Sequence, residues 1–177
     1  MDKKDIKKSK YNLDPSNLTS SEKLLTSAKE FSLFLLQIRS RTESQLRSKL
    51  EGKKYYTSEI IDECIKDLKK YGYIDDDSYC ERYIELNKNS KSYRVMRLKL
   101  YQKGIPNDIL DKYFSSKDDG DIKKKEKDEK ETAKKLLEKK VGDLSIIKDM
   151  EFKEKSKLFA YLARKGFSYD IIEHLIK

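Results

Sequence analysis

Three stretches of this chain follow one pattern, and that pattern limits the fold more than any other feature. They are KLEGKKYYTSEIIDECI (49–65), KLYQKGIPNDILDKYF (99–114) and YLARKGFSYDIIEHLI (161–176). Leu50, Leu100 and Leu162 are equivalent. Four residues earlier stand Leu46, Met96 and Leu158; three residues later stand Lys53, Lys103 and Lys165. A turn follows at Lys54-Tyr55-Tyr56, Gly104-Ile105 and Gly166-Phe167, the first with one extra residue. A polar residue or proline then opens the next segment at Thr57, Pro106 and Ser168. An apolar quartet closes each copy: Ile60, Ile61, Cys64 and Ile65; Ile109, Leu110, Tyr113 and Phe114; Ile171, Ile172, Leu175 and Ile176. Offsets of 1, 4 and 5 within a quartet set all four side chains on one helical face. The equivalent leucines lie 50 and 62 residues apart, a spacing at which internal similarity signals repeat architecture.

The pattern predicts an all-α fold of three tandem three-helix repeats in an elongated, curved array. Composition agrees. Of 177 residues, 41% are charged and 36% hydrophobic, and the mean hydropathy is −0.90. That is poor in core residues for one large globule. It suits small helical units with wide exposed faces. A net charge of +9 points to a polyanion or an acidic protein as partner. No run of about 20 apolar residues is present, which argues against a membrane span. The opening MDKKDIKKSKYNLD lacks an apolar signal core, so a cytoplasmic location is expected. Cys64 and Cys80 sit at apolar positions of helical patterns and read as small core residues in a reducing compartment.

The expected organisation runs as follows. Residues 1–20 form a flexible basic arm. The first repeat covers 21–74, with a first helix near 21–38 carrying Ala28, Phe31, Leu35 and Ile38. Thr42 and Gln45 make a capping box that starts the second helix, 43–52. The third helix spans 58–71, and Gly72 is placed to end it. The second repeat covers 75–114, with helices over 76–89, from Ser92 to a stop at Gly104, and after Pro106, which the first turn of a helix tolerates. Residues 115–131, SSKDDGDIKKKEKDEKE, hold six lysines against seven acids. They read as a charged linker or as the exposed start of a long helix. The third repeat covers 132–177.

The chemistry of an enzyme is missing from the pattern. His174 is the one histidine and has no nucleophile at a recognisable spacing. The six glycines form no phosphate-binding loop. Asp75-Asp76-Asp77 and Asp118-Asp119-Gly120-Asp121 lack the alternating ligands and distal Glu of a calcium loop. Two cysteines and a lone histidine do not make a zinc site. No catalytic residue, metal or cofactor is expected.

Basic clusters are the positive signal. LNKNSKSYRVMRLKLYQKGIPN (86–107) carries Lys88, Lys91, Arg94, Arg97, Lys99 and Lys103 and no acid. Arg94, Arg97 and Tyr101 share a helical face, while Met96 and Leu100 point inward. Such a face suits phosphates or an acidic protein groove. A second group, Arg39, Arg41 and Arg47, surrounds the turn between the first two helices, where bidentate contacts to carboxylate or phosphate are expected. The competing reading of that group is pairing with Glu43 and Glu51.

Taken in order, RSRTESQLRSKL, IIDECIKDLKKYGYIDDDSYCERYI, YRVMRLKLYQKGI and YLARKGFSYDIIEHLI resemble the RecX family of bacterial regulatory proteins. The most specific pieces are GYIDDDSY (72–79) and RKGFSYDII (164–172), and the resemblance covers about residues 25–177. It implies three tandem three-helix repeats. It also implies a protein that binds the RecA recombinase filament on single-stranded DNA and suppresses its ATPase, strand-exchange and coprotease activities by contact alone. Carried onto this sequence, the candidate contact residues are Arg39, Arg41, Arg47, Arg94, Arg97, Lys99, Lys103, Arg164 and Lys165. Direct DNA binding of a weak kind is compatible with this, and a monomer is expected. The alternative is a stand-alone DNA-binding protein of helix-turn-helix type. The acids of the third helices, Asp62, Glu63 and Asp67, Asp108 and Asp111, Asp170 and Glu173, argue against placing those helices in a major groove.

Overall fold

Leu50, Leu100 and Leu162 are each fully buried, and the fold is organised around them. The computed structural model describes residues 19–116 and 118–177. The basic arm expected over 1–20 thus lies outside the described residues, apart from its last two positions. Among the described residues there are nine α-helices, one 3-10 turn and no strand. The chain divides into two compact units, Met1–Asp75 and Asp76–Lys177.

The first unit holds α1 (Ser20–Ile38), α2 (Glu43–Glu51) and α3 (Ser58–Lys70). Both early helices start on full capping boxes. Thr19 pairs with Glu22 and Thr42 with Gln45, each side chain accepting or supplying what the other's free backbone N–H needs. Leu46, Leu50, Ile60, Ile61, Cys64 and Ile65 pack against Ala28 and Leu35 of α1. Lys29 reaches Asp67 at 2.5 Å, joining α1 to α3. The extra residue in the first repeat's turn is absorbed without loss of core. The Lys53 N–H donates to Leu50 O at 2.8 Å and the Tyr56 N–H to Lys53 O at 3.0 Å. Tyr56 is then buried, as Ile105 and Phe167 are at the equivalent points.

The second unit holds α4 (Asp76–Asn87), α5 (Tyr93–Tyr101), α6 (Asn107–Phe114), α7 (Asp119–Val141), α8 (Phe152–Lys165) and α9 (Tyr169–Ile176), with the 3-10 turn at Leu144–Ile147. Two cores form. Cys80, Leu100, Ile105 and Leu110 make one, and Ala133, Leu137, Leu158, Leu162, Ile171 and Ile172 belong to the other. Burial pushes both cysteine thiols up, that of Cys80 to about 11, with Asp76 and Asp77 adding to the effect at Cys80. Thiols held so far from the thiolate form are inert core residues. The charged run after α6 is helical from Asp119, and its start is capped by Asp118, whose carboxylate accepts from the Asp121 N–H at 2.9 Å.

The two three-helix groups of this unit meet at the N-terminus of α5. The Ser92 N–H donates to Lys165 O at 3.1 Å. The Tyr93 N–H donates to a Glu129 carboxylate oxygen of α7 at 2.7 Å, and the Thr132 hydroxyl to Lys88 O at 3.3 Å. Glu129 thereby fills one of the free donors that open every helix. Burial pushes its carboxyl up; the Tyr93 N–H and Arg94 pull it back, and Glu126 adds to the rise. Gly166 closes α8 with φ of +92°, and the Gly166 and Phe167 N–H groups turn back to Ala163 O and Leu162 O. Its backbone lies so close to α5 that a Cβ would stand 2.2 Å from Val95 Cγ2 and 2.4 Å from Ser92 Oγ.

Candidate interaction surface

The repeats act as internal controls for one another, and they sort the basic residues into two kinds. The first kind recurs because the repeat needs it. Arg47 and Arg97 each follow the inward residue Leu46 or Met96. Arg47 donates to Asp62 of α3 at 2.5 Å, and Arg97 to Asp111 of α6 at 2.8 Å. Asp62 and Asp111 hold the same place within their quartets. Both arginines tie the second helix of a repeat to the third. The third repeat carries Phe159 and Glu173 at these positions, and Phe159 packs on Tyr169 at 5.5 Å between ring centres. Arg47 also reaches Glu43 at 3.4 Å, and Lys69 donates to the other Glu43 oxygen at 2.8 Å. Hydrogen bonding to Asp62 raises the Arg47 pKa above its ordinary value. At Glu43 burial pushes the carboxyl up, but Lys69 and Arg47 together hold it below its usual range. Of the two neighbouring acids that the sequence offers this group, Glu43 and Glu51, only Glu43 forms an ion pair with it among the described residues, through Arg47; the shorter contact of Arg47 is to Asp62 on another helix.

The recurring lysine has a similar origin. Lys53 sits over the Phe31 ring at 5.1 Å and Lys103 over Tyr79 at 5.8 Å, in each case an aromatic of the repeat's first helix. In the third repeat the partners are exchanged: Tyr161 of α8 receives Lys140 of α7 at 4.8 Å and Lys165 at 5.8 Å. Cation–π contacts of this exposure contribute about 0.5–1 kcal/mol. Arg41 is 9% exposed and its Nε donates to Leu35 O at 3.4 Å. It serves the carbonyl end of α1, where a cation is favoured by the helix dipole.

The second kind faces outward. Arg39, Arg94, Lys99 and Arg164 are exposed. Lys99 donates to Gln102 at 3.2 Å. Arg39 and Arg164 have no hydrogen-bond or ion-pair partner among the described residues. Within the second unit, Arg164 lies in the last turn of α8, whose Lys165 carbonyl meets Ser92, two residues before Arg94. At about 100° per residue, Arg94, Leu98 and Tyr101 fall within about 60° of one another on α5. Lys99 projects about 100° further round, so the basic stretch divides between two faces. Leu98 and Tyr101 are 51% and 57% exposed. Nothing in the sequence marks Leu98, because a leucine in a helix ordinarily belongs to the core. The register shows otherwise, since Met96 and Leu100 already supply the inward face.

The outer faces of the third helices are acidic in the structure too. Asp62, Glu63, Asp108, Asp111 and Asp170 are all exposed, which is unsuited to a phosphate-lined groove. Among the described residues no group of three or more His, Cys, Asp or Glu is arranged to hold a metal ion, and no helix is long and apolar enough to cross a membrane.

Residues 128–176 match the family model described as RecX, third three-helix domain. A regulatory protein RecX of Clostridium botulinum is 29% identical over 96% of this chain and 76% of its own length. One from Finegoldia magna is 33% identical over 82% of this chain and 68% of its own. The match spans 61% of the length of others from Clostridium botulinum and Clostridium perfringens. The crystal structure of RecX from Lactobacillus salivarius superposes with a TM-score of 0.65 at 27% identity, covering 86% of this chain and 94% of that one.

Proposed function

The chain belongs to the RecX family of regulatory proteins, and on that premise we propose that it regulates the RecA recombinase by contact. It binds the RecA filament on single-stranded DNA in the cytoplasm and suppresses the filament's ATPase, strand-exchange and coprotease activities. It does so as a monomer and without a cofactor. The observation that best supports this reading is the outward face of α5, where Arg94 is exposed within a stretch, 86–107, that contains no acid. Arg39 and Arg164 add exposed cations that the repeats do not consume. The organisation fits as well. Repeats over 21–74, 75–114 and 132–177, with 115–131 leading into the third, are small helical units that each keep a wide exposed face for a partner.

The test is the single-stranded-DNA-dependent ATPase of the host recombinase, titrated with the full chain. Inhibition well below equimolar is expected. Charge reversal at Arg39 and Arg164 weakens it several-fold with unchanged helical circular dichroism, because neither side chain has a hydrogen-bond or ion-pair partner among the described residues. Arg97 is unsuitable for that experiment, since its reversal also breaks the contact with Asp111. Full ATPase activity at equimolar protein, with the protein folded and helical, refutes the proposal.

A further inference from the structure

We infer that Leu98 and Tyr101, flanked by Arg94, form an apolar docking patch for an acidic amphipathic segment of a protein partner. The inference rests on the reading above and names the chemistry of one contact within it. The repeat fold does not require these two side chains. At the position of Leu98 the other repeats carry Ser48 and Ala160; at the position of Tyr101 they carry Glu51 and Ala163. All four of those residues are exposed. A leucine and a tyrosine set side by side on an outward face, where the same fold elsewhere tolerates serine, alanine and glutamate, answer to something outside the repeat.

Charge decides the class of partner. Arg97 on the flank is engaged by Asp111; Arg94 acts on Glu129 of α7 at longer range but makes no ion pair and stays exposed, so it is the cation of the patch. Affinity for nucleic acid grows with the number of phosphates neutralised, and one arginine neutralises few. Leu98 gains nothing from a phosphate backbone, whereas an apolar side chain of a protein covers it. Tyr101 combines a large apolar ring with a polar tip, the composition that anchors protein interfaces. The complementary segment presents an apolar side chain to Leu98 and Tyr101 and a carboxylate to Arg94.

The experiment compares the full wild-type chain with the double variant Leu98→Ser, Tyr101→Ala, residues that the other repeats already accommodate. Binding to recombinase filaments on labelled single-stranded DNA is measured by fluorescence anisotropy over a range of salt, together with binding to the bare DNA. The variant is expected to bind filaments about tenfold or more weakly, as for loss of a central apolar anchor. Its salt dependence and its affinity for bare DNA stay at wild-type values, because no charge is removed, and its thermal midpoint falls by only a few degrees, because each side chain is about half exposed and serine and alanine keep the helix. Filament affinity equal to wild type overturns the inference. So does an equal loss on bare DNA, which would make the patch a nucleic-acid contact, or loss of the cooperative thermal transition, which would place the patch inside the fold. A wild-type chain that fails to bind filaments overturns the proposed function and this inference together.

Discussion

Replacing Gly166 with alanine tests a close approach within the second unit. Two costs arise at this position. The backbone has φ of +92°, where an L residue with a Cβ is strained by about 1–2 kcal/mol. The new Cβ would also stand 2.2 Å from Val95 Cγ2 and 2.4 Å from Ser92 Oγ, well inside contact distance, and overpacking of this kind costs a further ~1–3 kcal/mol. Gly72 separates the two effects. Its φ is +71° and nothing lies within 4 Å of its notional Cβ, so only the backbone strain applies. Gly166→Ala is therefore expected to lose roughly 2–5 kcal/mol, and Gly72→Ala about 1–2 kcal/mol. Urea denaturation followed by circular dichroism measures both. Adding Val95→Ala to Gly166→Ala removes the nearest clashing atom, and the double variant should be less destabilised than the sum of the singles by about 1 kcal/mol. Equal losses at Gly72 and Gly166, with no coupling to Val95, would show that the turn of the third repeat does not rest on α5 in solution.

Glu129 offers a sharper electrostatic test. Glu129→Ala leaves the Tyr93 N–H without its acceptor and costs about 1 kcal/mol. Glu129→Gln keeps an acceptor oxygen and removes the buried charge, so it is neutral or stabilising at neutral pH. Because the folded pKa is raised, the wild-type group binds a proton more tightly folded than unfolded, and its contribution is full below the unfolded pKa of about 4.3 and lost as pH rises through the folded value. The gap between wild type and Glu129→Gln, read from thermal midpoints, therefore closes on acidification; a gap that widens refutes the assignment. The Arg97–Asp111 pair, with both side chains about half exposed, should show a coupling of only about 0.5 kcal/mol in a double-mutant cycle by urea denaturation. Arg47 shares its charge with Asp62 and Glu43, and its truncation should cost more than that of Arg97; the same denaturation series ranks the two.

Local features were legible in the sequence because local chemistry creates them. Thr42 and Gln45 satisfy each other's backbone across three residues, and the apolar quartets need only helical periodicity to find their face. The partners of the basic residues were not legible in the same way. Asp62 lies 15 residues from Arg47, and Asp111 lies 14 from Arg97. Each pair forms only after two helices have packed. A signal was nevertheless present: an arginine one place after the inward residue and an aspartate inside the quartet recur together in two repeats, while the third has Phe159 and Glu173 in their places. Glu129 left no such trace. It is one acid among seven in residues 115–131, and its role exists only because α7 passes the open end of α5.

This sorting changes where a binding surface should be sought in a repeat protein. Positive charge alone points to nine candidates, yet recurrence argues against several of them. A residue that returns at the same register with the same kind of partner is explained by the repeat, as Arg47 and Arg97 are by their aspartates and Lys53 and Lys103 by their rings. A residue that departs from its counterparts, and is exposed where they are small or polar, is not explained that way. Leu98 and Tyr101 meet that condition on α5. Substitutions drawn from the sister repeats then become the cleanest probes, because the fold has already accepted each of them at the same position.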